Sequence, residues 1–222
     1  MTVAHVLQSL VILAALAPLG CSESPVDKVQ SDDPAKRLAG LEELSRQDTE
    51  QALNTATRMI THTDTETAEA AVRAIGRMPR RRAVTVLAKT AAEDPRPTVR
   101  QQAALALSYG TEPSSVEVLK QVAKTDAAPQ VRAAAATSLG RLGSLADVEF
   151  LLAQAESETD PIVQSRAIGA LERILGIGFT FDPAAPANLR RVTMERIREA
   201  AQIRATVLRK KEQEQPRKAG AA

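Results

Sequence analysis

At 222 residues, with 44% apolar but only 2% aromatic side chains and no Trp, the chain has length for one repetitive domain packed largely by alanine, not for a large core around an enclosed cavity. Its formal net charge of +2 makes no case for a polyanionic partner. One Cys excludes an internal disulfide, and with only two His it leaves too few ligands for a zinc centre.

The first twenty residues hold no Lys, Arg, Asp or Glu, and Leu10 to Leu19 is a ten-residue apolar run. A membrane span needs roughly 20 apolar residues, so this run fits the apolar region of an export signal instead. Gly20-Cys21-Ser22 follows, carrying the only cysteine of the chain. The segment resembles a bacterial lipoprotein signal peptide. That resemblance implies cleavage before Cys21, lipidation of its thiol, and a membrane-anchored protein in the bacterial cell envelope, periplasmic or on the outer surface. A cleaved soluble leader and a cytoplasmic chain with a misread start are the alternatives. Residues 21–32 read as a polar tether.

From Asp33 a repeat begins. Val99-Arg100-Gln101-Gln102-Ala103-Ala104-Leu105-Ala106-Leu107 returns 32 residues later as Val131-Arg132 through Leu139, and again as Val163-Gln164 through Leu171. Ala71, Ala103, Ala135 and Ala167 share one small position, with Ile75, Leu107, Leu139 and Leu171 one helical turn on, which makes an inward stripe. Gly76, Gly110, Gly140 and Gly143 follow these stripes, where left-handed helix ends are expected. Pro79 and Pro113 then bar continuation. A second helix repeats as Val84/Leu87, Val116/Leu119 and Val148/Leu151. A weaker unit runs from Asp33-Pro34 through Arg37 to Leu44 and Leu53, giving four units over roughly 33–157 and a fifth from Asp160. A fixed period of this length predicts an all-α, right-handed solenoid of stacked antiparallel helix pairs over residues 33–211.

The pattern Asp-Pro-x₃-Val-Arg-x₂-Ala-Ala-x₂-Leu resembles HEAT repeats, and more closely the short Ala-rich class also found in phycobilisome lyases. In that family an Arg at this position commonly pairs with a repeat Asp, so the resemblance implies a structural ladder of Asp94, Arg100, Asp126 and Arg132, ending where Gln164 replaces Arg. It also implies a binding surface on the second helices, built from Arg81, Thr85, Lys89, Glu117, Lys120, Gln121, Lys124 and Glu149. Leu175 to Pro183, with Phe179 and Phe181, interrupts the pattern and reads as a plug for the open end of the stack.

From Ala187 onward ten Lys/Arg face four Asp/Glu. Leu189, Val192, Ile197, Ala200, Ala201 and Leu208 lie near one stripe, so a capping helix is expected to residue 211, with a disordered tail over 212–222. Arg77, Arg80, Arg81 and Arg82 form the densest basic cluster, without aromatic residues to stack bases. His62 is expected at a helix end. The chain has no His-Glu dipeptide, so the iron site of HEAT-like deoxyhypusine hydroxylases is not carried over, and no Gly-rich phosphate loop is present. The sequence therefore predicts a monomeric, non-catalytic scaffold without cofactor or metal, binding a protein partner and not nucleic acid, and reaching the membrane through lipidated Cys21. The alternative is a cytoplasmic HEAT-like adaptor or bilin-lyase-like protein.

Overall fold

The computed structural model describes residues 23–78, 81–110 and 112–214. The leader, Cys21, Pro79, Arg80 and the final residues lie outside them. Among the described residues all regular structure is helical. A short helix α1 (Pro25–Val29) precedes five pairs: α2 (Pro34–Leu44) with α3 (Glu50–Met59), α4 (Thr65–Arg77) with α5 (Arg81–Glu93), α6 (Pro97–Ala106) with α7 (Pro113–Thr125), α8 (Pro129–Leu142) with α9 (Val148–Ser157), and α10 (Pro161–Leu175) with α11 (Ala187–Glu214). Each first helix from α4 on packs on the first helix before it and on the second helix of the preceding pair (α3 on α4, α5 on α6, α7 on α8, α9 on α10), which makes the chain an α-solenoid.

Local chemistry explains the helix starts. Pro34, Pro97, Pro113, Pro129 and Pro161 occupy the first turn, where a missing N–H costs nothing and φ is already helical. Asp33, Thr49, Asp64 and Asp160 accept backbone N–H groups as N-caps. Ala71, Ala103, Ala135 and Ala167 are fully buried, as are Val99, Val131 and Val163. One continuous core runs from Val29 in α1 to Ile197 in α11.

Three features depart from the sequence expectations. First, the segment read as a tether contains α1: Val29 is fully buried, and α1 lies so close to α2 that a Cβ on Gly40 would sit 2.7 Å from Val29 Cγ2. Second, the repeat glycines are not left-handed caps. Gly76 and Gly140 lie inside α4 and α8, Gly110 and Gly143 are extended, and the positive φ found among the described residues belongs to Gly176 after α10. Gly76 and Gly140 are the points where neighbouring first helices nearly touch. A Cβ on Gly76 would lie 2.8 Å from Ala106 Cβ, and one on Gly140 would lie 2.7 Å from Ala170 Cα. Third, α11 runs to Glu214 and buries only the middle of the expected stripe. Met194 and Ile197 are buried and Ala200 and Ala201 half-buried, whereas Leu189, Val192 and Leu208 are exposed. Phe179 and Phe181 pack half-buried against the core end, where a plug was expected.

The glycine geometry makes opposite forecasts for two substitutions. Gly→Ala in a helix ordinarily stabilises by about 1 kcal/mol. Gly169→Ala in α10, where nothing lies within 4 Å, should follow that rule. Gly140→Ala should instead destabilise by about 1–3 kcal/mol, because backbone and not a flexible side chain stands in the way. Chemical denaturation midpoints of the two variants should move in opposite directions.

Candidate protein-binding face

The first helices meet through small side chains, so they pack on one another extensively, whereas successive second helices touch sparingly. Between the second helices a series of clefts opens. One of about 320 Å³ lies between α3 and α5, lined by Thr57, Ile60, Val86, Lys89 and Thr90. The next, about 530 Å³, lies between α5 and α7 beside Glu93, Gln121 and Thr125. A third of about 400 Å³ separates α7 from α9 and is lined by Lys124, Phe150, Ala153, Gln154 and Ser157. A smaller one, about 240 Å³, lies beside α11 with Phe181, Arg190 and Met194. Gln154 donates to the Ala123 carbonyl at 2.6 Å, while its Oε1 is buried without a hydrogen-bond partner.

A polar ladder runs along the floor of these clefts. Arg100 donates through Nε and Nη2 to both oxygens of Asp126 (2.8 and 3.0 Å), and through Nη1 to the carbonyl of Asp94 (2.8 Å). Arg132 repeats the fork one unit later, onto Glu158 (2.7 and 2.8 Å) and the carbonyl of Asp126 (2.9 Å). Arg37 uses Nη1 for the carbonyls of Ser31 and Asp32 and Nη2 for Asp64. Each fork thus ties the loop before its own helix to the loop of the next unit. The carboxylates also hold backbone N–H groups two residues on: Asp94 that of Arg96, Asp126 that of Ala128, and Glu158 that of Asp160. His62 stands 32 residues before Asp94 and does the same through Nδ1 to Asp64.

In the second unit the arginine position is Ala68. There Arg96 enters from the following loop. Its guanidinium grips Asp94 through Nε and Nη2 and reaches the carbonyls of His62 (2.9 Å) and Ile60 (2.6 Å). The same loop-to-loop bridge is rebuilt from the opposite side. The ladder ends at Gln164, which keeps only the carbonyl contact, to Glu158 at 2.6 Å.

Four expected ladder residues therefore lie together, with amended partners. Arg132 pairs with Glu158 rather than with an Asp, and Asp94 is held by Arg96. Neither Asp94 nor Asp126 is an N-cap; those places belong to Arg96 and Ala128. On the expected binding surface Thr85, Lys89, Glu117, Gln121, Lys124 and Glu149 are exposed, and Lys89, Gln121 and Lys124 line the clefts. Lys120 is different: its ammonium contacts buried Asp147 at 2.6 Å and Glu117 at 3.1 Å, so it is a strut between repeats. The side chain of Arg81 lies outside the described residues. Phe150, Gln154, Glu158 and Arg96 were missed. A 32-residue step from Val86 and Val118 reaches Phe150, and from Asp126 it reaches Glu158. Two members of the basic cluster are engaged in structure, Arg77 with Glu42 and Arg82 with Glu50 across the repeat.

The electrostatics follow the geometry. Burial alone would raise the Asp126 carboxyl, but the Arg100 hydrogen bonds, the Ala128 N–H and two arginine charges outweigh it and hold it below its ordinary range. The Arg132 hydrogen bonds hold Glu158 down against burial in the same way. Among the described residues no cluster of His, Cys, Asp and Glu is arranged to bind a metal, and no helix is long and apolar enough to cross a membrane.

A family profile described as HEAT repeats matches residues 24–108 and 93–172. No curated protein matches the chain. Among solved structures, the CpcE–CpcF complex of phycocyanin lyase from Nostoc sp. PCC7120 superposes with a TM-score of 0.54 at 20% identity, over 80% of this chain and 77% of that one. An engineered protein gives 0.48 at 16% identity, over 80% and 96%. A computationally designed armadillo-repeat protein for modular peptide recognition gives 0.40 at 13%, over 82% and 97%. At these identities the likeness speaks to fold alone.

Breaking the ladder should be costly. Arg132→Met would leave Glu158 and two carbonyls without their donor and should destabilise by about 3 kcal/mol, with Arg132→Met/Glu158→Gln recovering part of the loss in urea denaturation. A carboxyl whose folded pKa is depressed contributes stability that is complete above its unfolded pKa, about 4, and is lost as pH falls through the folded value. Thermal midpoints should therefore fall in acid below about pH 4, and more shallowly in Glu158→Gln than in the parent chain.

Proposed function

The chain belongs to the HEAT-repeat family, and on that premise we propose that it is a non-catalytic protein-binding scaffold, held by lipid on Cys21 in the bacterial cell envelope. The observation that carries the binding role is the row of clefts between successive second helices. Packed helices lie about 8–10 Å apart, so each cleft corresponds to roughly three residues of an extended chain. A protein segment laid across the second helices would place a side chain in each cleft. Ile60, Val86 and Phe150 supply apolar contact, and Lys89 and Lys124 stand at the rims. The ladder carboxylates beneath are ionised and bound to arginine, which suits a rigid floor and not acid–base chemistry.

The anchoring half of the proposal rests on the leader: an apolar run too short to span, then Gly20-Cys21-Ser22. Anchored this way, the solenoid would present its second-helix face to partners at a membrane surface.

Two measurements test the halves separately. Mass spectrometry of the mature protein from a bacterial host should find a diacylglyceryl group on Cys21, absent from Cys21→Ser; an unmodified chain starting at Met1 in the soluble fraction would refute the anchor. A photo-crosslinking residue in place of Lys89 or Lys124 should give discrete protein adducts in cells, and one in place of Arg73 or Arg166 on the first helices should not. Equal labelling from both faces would refute the binding surface.

A further inference from the structure

Helix α11 is amphipathic twice over. Its Met194 and Ile197 are 3% and 0% exposed against the end of the stack, and Arg198 fixes it further by a double hydrogen bond to Glu156 of α9. On the side away from that contact Leu189, Val192, Ile203 and Val207 are 55%, 40%, 58% and 44% exposed. At about 100° per residue, these four fall within roughly 60° of one another, and Arg196 and Glu199 lie in the same strip between them. Between Leu189 and Val207 the strip thus reads apolar, apolar, basic, acidic, apolar, apolar, and Lys210 continues it at the angle of Val192 in a helix of 28 residues.

That order is its own complement when reversed. Turn a second copy of α11 antiparallel about a two-fold axis between Ile197 and Arg198. Val192 then faces Ile203 of the other copy, Leu189 faces the turn carrying Val207, and Arg196 faces Glu199, each contact made twice. A parallel pairing would instead set Arg196 against Arg196 and Glu199 against Glu199. We propose that this strip is the interface of a two-fold symmetric homodimer, formed by antiparallel pairing of α11 with a second copy of the chain. At the rim, Glu195 is engaged by Arg191 of its own helix at 3.7 Å. A helix of this length spans about 42 Å, so the contact lies at the small end of stable interfaces, and the dimer should dissociate on dilution. None of the six strip residues lines a cleft between the second helices. The inference stands independently of the lipid anchor and of the clefts.

The test is sedimentation of the full chain in reducing, detergent-containing buffer, which excludes dimers through Cys21. The parent chain should show a concentration-dependent monomer–dimer equilibrium, and Ile203→Asp should be monomeric with unchanged helical content. Arg196→Glu should weaken the dimer about tenfold or more by facing like charges, and Arg196→Glu/Glu199→Arg should restore it. A parent chain that stays monomeric at every concentration would overturn the proposal. So would a dimer indifferent to Ile203→Asp, or a charge exchange that fails to restore association.

Discussion

Where Gly140 meets Ala170 there is no room for a methyl group, and the same is true where Gly76 meets Ala106. The first helices of this solenoid are drawn together by residues with almost no side chain, and the fully buried Ala71, Ala103, Ala135 and Ala167 continue the theme. Alanine loses no side-chain entropy on burial and is the best helix former, so such contacts cost little to order. Close approach in one layer has a consequence in the other. The second helices carry the longer Val, Leu, Lys and Gln side chains and cannot follow their partners inward, so gaps remain between them. The clefts are the geometric remainder of tight packing in the first layer.

Gaps between helix ends expose carbonyls and loop N–H groups that water would otherwise have to satisfy. The arginine forks meet that demand while tying unit to unit. Arg100 and Arg132 each bind a carbonyl of their own loop and a carboxylate of the next, so the bond that fixes one unit also fixes its spacing to the following one. The substitution of Arg96 where the helix supplies only Ala68 shows which part of this device is indispensable. The arginine's place in the sequence can change, but a guanidinium bridging carbonyl 62 and carboxylate 94 is still present. Only at Gln164, in the first helix of the last pair, does the bridge shrink to a single hydrogen bond.

Periodicity made most of the fold legible. The 32-residue step located the helix pairs, and the buried alanine and leucine positions lie where that step put them. What failed to read through were residues whose role depends on a neighbour. A glycine after an apolar stripe looks like a helix end, yet Gly76 and Gly140 sit within helices because another helix passes within reach. Glu158 went unseen because the pattern sought Asp, although a longer carboxylate one unit on accepts the same fork. Lys120 resembled its exposed neighbours until Asp147, buried on the adjacent repeat, was placed against it. Periodicity describes a repeat by itself; these residues answer to the repeat beside it.

The two ends of the stack solve one problem in different ways. A terminal repeat has a face with no neighbour, and that face must be covered or made polar. At the start, α1 folds back over α2, buries Val29, and fits only because Gly40 leaves room. At the far end Phe179, Phe181, Met194 and Ile197 close the core, so the covering is already complete on one side of α11. Among the described residues nothing covers the apolar strip on its other side, where Leu189, Val192, Ile203 and Val207 are exposed. Covering that side by burial would take a further helix, whereas a polar surface would have met the same need at no cost in packing. Among the described residues α11 has neither, and a second copy of the helix laid antiparallel would supply that covering.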